Sequence, residues 1–183
     1  MERLLQAINY MVEVHGGQQR KGSKLPKATH LFGVAAILQR YGYDDEVVIA
    51  GLLHDVVEDT ERDIAEIAHL FGAQVAEYVL AETEIAKENP WRVRKTTQIA
   101  SLKNAKSAVK AIAAADKMHN LISLYQDYQA QGEQVWQHFN AGRDDIIWYY
   151  QTIIPAICHG VSGGIFADLK QLGDKITELK GVK

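Results

Sequence analysis

Prolines occur only at positions 26, 90 and 155, so two stretches of more than sixty residues each run without a residue that breaks a helix. Within them the apolar residues recur at helical spacing. Leu4, Leu5, Ile8, Met11 and Val12 share one helical face, and Leu31, Val34, Ile37 and Leu38 another. Asp44 and Asp45 precede the run Val47–Val57, where an N-cap and first turn favour acids. Ile64, Ile67, Ala68 and Phe71 form a further face that Gly72 closes at the position of a left-handed cap, and Val75, Val79 and Leu80 begin the next. The spacing predicts more helices near 92–101, 106–128, 143–158 and 167–180. After Pro155, Gly160, Gly163 and Gly164 turn a last helix back onto the rest. Sustained alternation and Asn-Gly or Asp-Gly hairpin turns are missing. The expectation is an all-α, single-domain bundle of roughly eight to ten helices.

Composition narrows the class. A chain of 183 residues that is 47% hydrophobic and 23% charged has the make-up of one globular domain. Its apolar runs, Val47–Leu53 among them, are far short of the ~20 residues a bilayer span needs. Glu2 and Glu13 bracket an amphipathic start that does not read as a signal peptide. The single cysteine, Cys158, cannot form an internal disulfide. A net charge of -3 gives no global pull toward nucleic acid, so anion binding must come from a local basic patch. A cytoplasmic protein without nucleic-acid or membrane partners is expected, its oligomeric state open, a homodimer included.

The most informative stretch is Leu52-Leu53-His54-Asp55-Val56-Val57-Glu58-Asp59-Thr60. On one helix His54 and Glu58 are i, i+4 neighbours, as are Asp55 and Asp59. Glu58-Asp59-Thr60 alone reads as a solvated helix end, but core packing does not ask for a His-Asp doublet directly behind an apolar run. His30 opens the helical run Leu31–Leu38; alone it reads as a core or capping histidine. Asp116 ends the run Ala111-Ile112-Ala113-Ala114-Ala115, where a buried acid costs several kcal/mol unless it is paired or coordinated. Together His30, His54, Asp55 and Asp116 form a mixed nitrogen and oxygen set that suits Mn²⁺, Fe²⁺ or Zn²⁺ better than Ca²⁺.

The ordered set His30, His54-Asp55, Glu58-Asp59 and Asp116 resembles the HD superfamily of metal-dependent phosphohydrolases. It is most similar to the hydrolase domain of the RelA/SpoT alarmone enzymes and to the stand-alone small alarmone hydrolases. The segments that carry the likeness are Gln19-Arg20-Lys21 ahead of Pro26 and His30, Val34-Ala35, LLHDVVEDT, Phe71-Gly72 and Ala115-Asp116-Lys117-Met118-His119-Asn120-Leu121. The likeness runs from about residue 4 to about 155, leaving 156–183 as a C-terminal helical extension. It implies an all-α fold, Mn²⁺ as the usual metal, and removal of pyrophosphate from the 3′ position of a guanosine alarmone such as (p)ppGpp.

The same resemblance implies His30, His54, Asp55 and Asp116 as metal ligands and Glu58 and Asp59 as the catalytic acid pair. It puts Arg20 and Lys21 beside the nucleotide and Asn120 and Ser123 at the base pocket, with Lys95 and Arg143 matching phosphate-binding positions. Arg20, Lys21, Lys24 and Lys27 also form the clearest basic loop, the local patch an anionic nucleotide needs. The aromatic stretch Trp136, Phe139 and Trp148-Tyr149-Tyr150 is more like the stand-alone hydrolases than the long bifunctional enzymes; most of its rings also read as a helix face packed in the core. The length leaves no room for a synthetase domain, so the expected activity is hydrolytic only. Two positions depart from the family pattern: Pro26-Lys27 replaces the common Pro-Tyr, and His30-Leu31 replaces His-Pro.

Three motifs are set aside. Gly160-Val161-Ser162-Gly163-Gly164 has the G-x-S-x-G form, but helix precedes it and no histidine follows. Gly17–Gly22 has P-loop spacing but continues as Ser23-Lys24 with no strand in front. Cys158 and His159 are adjacent, and adjacent side chains on a helix diverge by about 100°. Two rivals to the alarmone reading stay open. One is the same centre acting on another nucleotide, such as (p)ppApp or NADPH. The other is a non-catalytic nucleotide-binding module.

Overall fold

The computed structural model describes residues 1–20, 22–84 and 86–179, without the side chains of 177 and 178. Among them the chain forms ten α-helices: α1 (Glu2–Val14), α2 (Ala28–Arg40), α3 (Asp45–Leu53), α4 (Val56–Asp59), α5 (Ile64–Phe71), α6 (Ala73–Glu82), α7 (Trp91–Lys103), α8 (Ser107–Gln131), α9 (Arg143–Ile157) and α10 (Gly164–Asp174). Two 3₁₀ segments, Gly132–His138 and Lys175–Leu179, extend α8 and α10. The described residues contain no strand, only an isolated bridge between Gln19 and Pro26.

Local signals explain several boundaries. The Asp44 carboxylate accepts from the Val47 amide at 3.0 Å and starts α3. Gly72, at φ +92°, lets α5 end and α6 begin at one residue. The expected continuous helix through His54–Asp59 is broken instead, into α3 and α4. His54 Nδ1 donates to the Gly51 carbonyl at 2.8 Å, the oxygen that a continuing helix would offer to the amide of Asp55. At the break the Asp55 carboxylate stands beside the imidazole that precedes it.

Helix α8 is the axis of the bundle, packing against α2, α3, α6, α9 and α10. Val109 through Met118 are buried in succession, so this segment is enclosed on all sides rather than amphipathic. Leu31, Leu38, Ile49 and Leu53 are fully buried around it, as are Ile112 and Leu121 of α8 itself; truncating any one to alanine costs about 2–5 kcal/mol. The aromatic residues near the C-terminus pack as expected, Trp91 standing edge-on to Trp148 and Tyr149. Helix α9 runs through Pro155 to Ile157, and the turn after it brings α10 back onto α8 and α9. There Cys158 is buried, its thiol pointing at the Phe166 carbonyl at 3.6 Å. No described helix is long and apolar enough to cross a membrane.

Candidate metal centre and its cavity

Three elements deliver the centre. His30 stands in the first turn of α2, His54 and Asp55 at the break after α3, and Asp116 in the enclosed part of α8. Ligand atoms of His30, His54 and Asp116 lie within 4.8 Å of one another, all three residues buried. Asp116 Oδ1 is 3.1 Å from His30 Nε2 and 3.9 Å from His54 Nε2. Asp55 Oδ1 is 3.2 Å from His54 Nε2, and its Oδ2 is 4.0 Å from His30 Nε2.

The second nitrogen of each imidazole is already engaged. His54 Nδ1 is held by Gly51, and His30 Nδ1 meets His119 Nδ1 at 3.1 Å, one nitrogen donating and the other accepting. Both rings therefore turn Nε2 inward, the second-sphere arrangement that metal-ligating histidines use. Burial pushes the His119 pKa down to about 4, so that ring is neutral at ordinary pH. Burial would lift the Asp55 carboxyl, but His54 and the Lys27 ammonium hold it far below the usual range. Burial also opposes ionisation of Asp116, and the ammonium of Lys117 with the His30 ring overcomes it. Two inward imidazoles and two ionised carboxylates fit a divalent transition metal in donor type and number.

The centre opens into a cavity of about 750 Å³, the size range of small-molecule sites. Glu58 and Asp59, on α4, both line it. Glu58 Oε2 accepts from the Glu84 amide at 3.0 Å. Burial raises the Glu58 pKa against that hydrogen bond, and the charge of Asp55 adds to the rise. Asp59 Oδ2 is 2.7 Å from Lys27 Nζ, and the Asp59 carbonyl accepts from the Gln18 side chain at 3.0 Å.

The substrate-binding candidates are divided. Arg20, Asn120, Ser123 and Lys95 line the cavity. Asn120 is tied twice, donating to Asp116 Oδ1 at 2.6 Å and accepting from Arg20 at 3.3 Å. Ser123 donates to the His119 carbonyl at 3.0 Å, and Lys95 pairs with Glu84. Arg143, at the start of α9, is not among the lining residues and pairs with Glu133 at 3.2 Å. Lys21 lies outside the described residues.

Several partners escaped the sequence reading. Lys27 bridges Asp55 and Asp59, Lys117 pairs with Asp116, and His119 backs His30. Lys117 and His119 were within sight, one and three residues after Asp116. Glu82 ends α6 facing the cavity, its Oε1 buried without a hydrogen-bond partner. Burial pushes its pKa up to about 7, with Lys117 opposing. A carboxylate three residues after Val79 on the buried face was its readable sign.

Comparison with known proteins agrees with this geometry. The HD domain model matches residues 7–147. The guanosine-3′,5′-bis(diphosphate) 3′-pyrophosphohydrolase MESH1 of Danio rerio is 37% identical over 124 residues, covering 66% of this chain and 68% of its own. Its human counterpart is 38% identical over 125 residues, 67% of this chain and 69% of its own. Among solved structures, a Listeria monocytogenes protein superposes with a TM-score of 0.75 at 37% identity, covering 81% of this chain and 99% of that one. A metazoan ortholog of SpoT, described as hydrolysing ppGpp, gives a TM-score of 0.80 at 28% identity over 99% of this chain and 97% of its own. From the inward-turned ligands, the all-helical frame and these matches, the chain belongs to the HD-domain family, among the relatives of the small stand-alone 3′-pyrophosphohydrolases.

Proposed function

We propose that this protein is a Mn²⁺-dependent 3′-pyrophosphohydrolase of (p)ppGpp-type alarmones, working in the cytoplasm and releasing pyrophosphate with GDP or GTP. The observation that carries the reading is the convergence of His30, His54, Asp55 and Asp116 on one edge of a cavity that Glu58 and Asp59 also line. The curated relatives act on this substrate class by name. A divalent cation held by the four ligands supplies Lewis acidity toward a phosphoryl oxygen and makes water a stronger acid.

The protein's own groups do the rest. Glu58, whose carboxyl burial holds above its ordinary range, is the residue suited to proton transfer. Asp59 is held in one place by Lys27 and Gln18 and orients the attacking water. Arg20 and Lys95 present cations to an anionic nucleotide, and Asn120 and Ser123 form the wall where α8 meets the base. Lys21 and Arg143 complete the substrate-binding set carried over from the family pattern.

The test is pyrophosphate release from ppGpp and from ppApp by protein stripped of metal and then supplied with Mn²⁺. Manganese-dependent release from ppGpp is expected, and the ratio of the two rates measures base preference. Manganese uptake without release from either nucleotide would refute the alarmone reading.

A further inference from the structure

Lys27 is the residue at which this chain parts from the Pro-Tyr pattern of its family, and the structure gives that change a place in the site. It precedes α2 and stands three residues before His30. Its ammonium lies 2.6 Å from Asp55 Oδ2 and 2.7 Å from Asp59 Oδ2. Only 19% of the side chain is exposed, and the residue lines the cavity.

This lysine is held rather than left to sample solvent. Its backbone N–H donates to the Gln18 carbonyl at 2.9 Å, beside the Gln19–Pro26 bridge. The Gln18 side chain in turn donates to the Asp59 carbonyl. The loop, the ammonium and the acid on α4 are thus tied to one another.

The charges decide what the ammonium is for. Lys95 and Lys117, the other lysines lining the cavity, are each paired with a single carboxylate, Glu84 and Asp116. On the Asp55 side the lining is acidic, with Asp55, Glu58 and Asp59 together. A pyrophosphoryl group brought against that edge meets repulsion from the carboxylate charge that a bound metal ion leaves uncompensated, and the Lys27 ammonium stands between two of those carboxylates. An ammonium has three N–H donors; two are directed at Asp55 and Asp59, and the third is available to an oxygen of the incoming group.

We propose that Lys27 is a phosphate-binding residue of this centre: its ammonium, fixed by Asp59, donates to a non-bridging oxygen of the pyrophosphoryl group at the 3′ position. The assignment rests on the phosphohydrolase reading above.

Binding of Mn²⁺ and then of inorganic pyrophosphate, each followed by calorimetry, tests it in the wild type and in Lys27→Met, Lys27→Arg and Lys103→Met. Lys103 is exposed at the end of α7 and does not line the cavity, so its variant loses the same charge away from the site. Lys27→Met is expected to take up Mn²⁺ no more weakly than the wild type and to bind pyrophosphate about tenfold or more weakly, the size of one charge-assisted hydrogen bond. Lys27→Arg should recover most of that loss, and Lys103→Met should stay within about twofold of the wild type. If Lys27→Met does not melt cooperatively, Lys27→Gln, which still donates to Asp59, carries the same expectation.

Unchanged pyrophosphate affinity in Lys27→Met, or a loss that follows from failure to bind Mn²⁺, would overturn the proposal. A wild type that takes up Mn²⁺ but binds no pyrophosphate would overturn the phosphohydrolase reading first, and the role of Lys27 with it.

Discussion

Gly33 sits in α2 three residues after His30, and a Cβ there would lie 2.1 Å from His119 Cδ2 and 2.4 Å from Nε2. In an open helix, glycine to alanine gains about 1 kcal/mol from propensity alone. Here the methyl group can enter only if the His119 ring leaves. That ring stacks edge-on to His30 with centroids 4.8 Å apart and makes the contact to His30 Nδ1. Overpacking costs about 1–3 kcal/mol and the lost hydrogen bond about 1. Set against the propensity gain, Gly33→Ala should destabilise by about 1–3 kcal/mol, a fall of roughly 3–10 °C in melting temperature at this chain length. In a His119→Ala background the obstacle is gone and the sign should reverse, Gly33→Ala then stabilising by about 1 kcal/mol. Thermal and urea unfolding of the four proteins in chelator measures the coupling directly. With His30 Nδ1 unsupported, Mn²⁺ affinity of Gly33→Ala should also drop by about 10–100-fold. Equal destabilisation in both backgrounds would refute the steric account and leave His119 without the supporting role assigned to it.

Glu82 makes stability fall with pH. Its folded pKa is raised to about 7, so between about pH 4.5 and 7 the folded state keeps a proton that the unfolded chain has lost, and the penalty is complete above that window. Glu82→Gln should therefore exceed the metal-free wild type by less than about 1 kcal/mol at pH 5 and by up to about 3 kcal/mol at pH 8 in urea titrations; one constant difference at both values would show that burial of the charge is not the cause. Glu58→Gln should keep its Mn²⁺ and lose about 10²–10⁴-fold in rate, and a rate near the wild type would remove Glu58 from proton transfer. Asp116→Ala should abolish both turnover and the rise in melting temperature that Mn²⁺ produces, and should cost a further 3–5 kcal/mol or so because Lys117 loses its counter-charge. Retention of the Mn²⁺-dependent rise would take Asp116 out of the ligand set.

The helices were legible because their punctuation is local. Asp44 caps its own third neighbour and Gly72 takes the left-handed turn, and both roles depend only on residues beside them. The break after Leu53 was not legible, since apolar periodicity runs on to Val57 and the interruption comes from a side chain competing for a carbonyl. The acids and histidines of the centre stood out as polar groups in apolar surroundings. Their partners did not, because the pairs are tertiary: Lys27 lies about thirty residues from Asp55 and Asp59, and His30 is 89 residues from His119. Arg143 shows the converse. Its match along the chain carried no sign that Glu133, ten residues earlier, would pair with the guanidinium.

Cys158 turns the C-terminal packing into a clock. It is the chain's one thiol, and burial raises its pKa, so a labelling reagent reaches it as thiolate only when the turn between α9 and α10 opens. Its labelling rate, divided by that of an unstructured thiol, is the equilibrium constant for that opening. The natural sequence therefore carries a single-site reporter on the last helix, some distance along the chain from the metal ligands. It can show whether adding metal or nucleotide tightens the packing of α10 without a mutation or an attached dye.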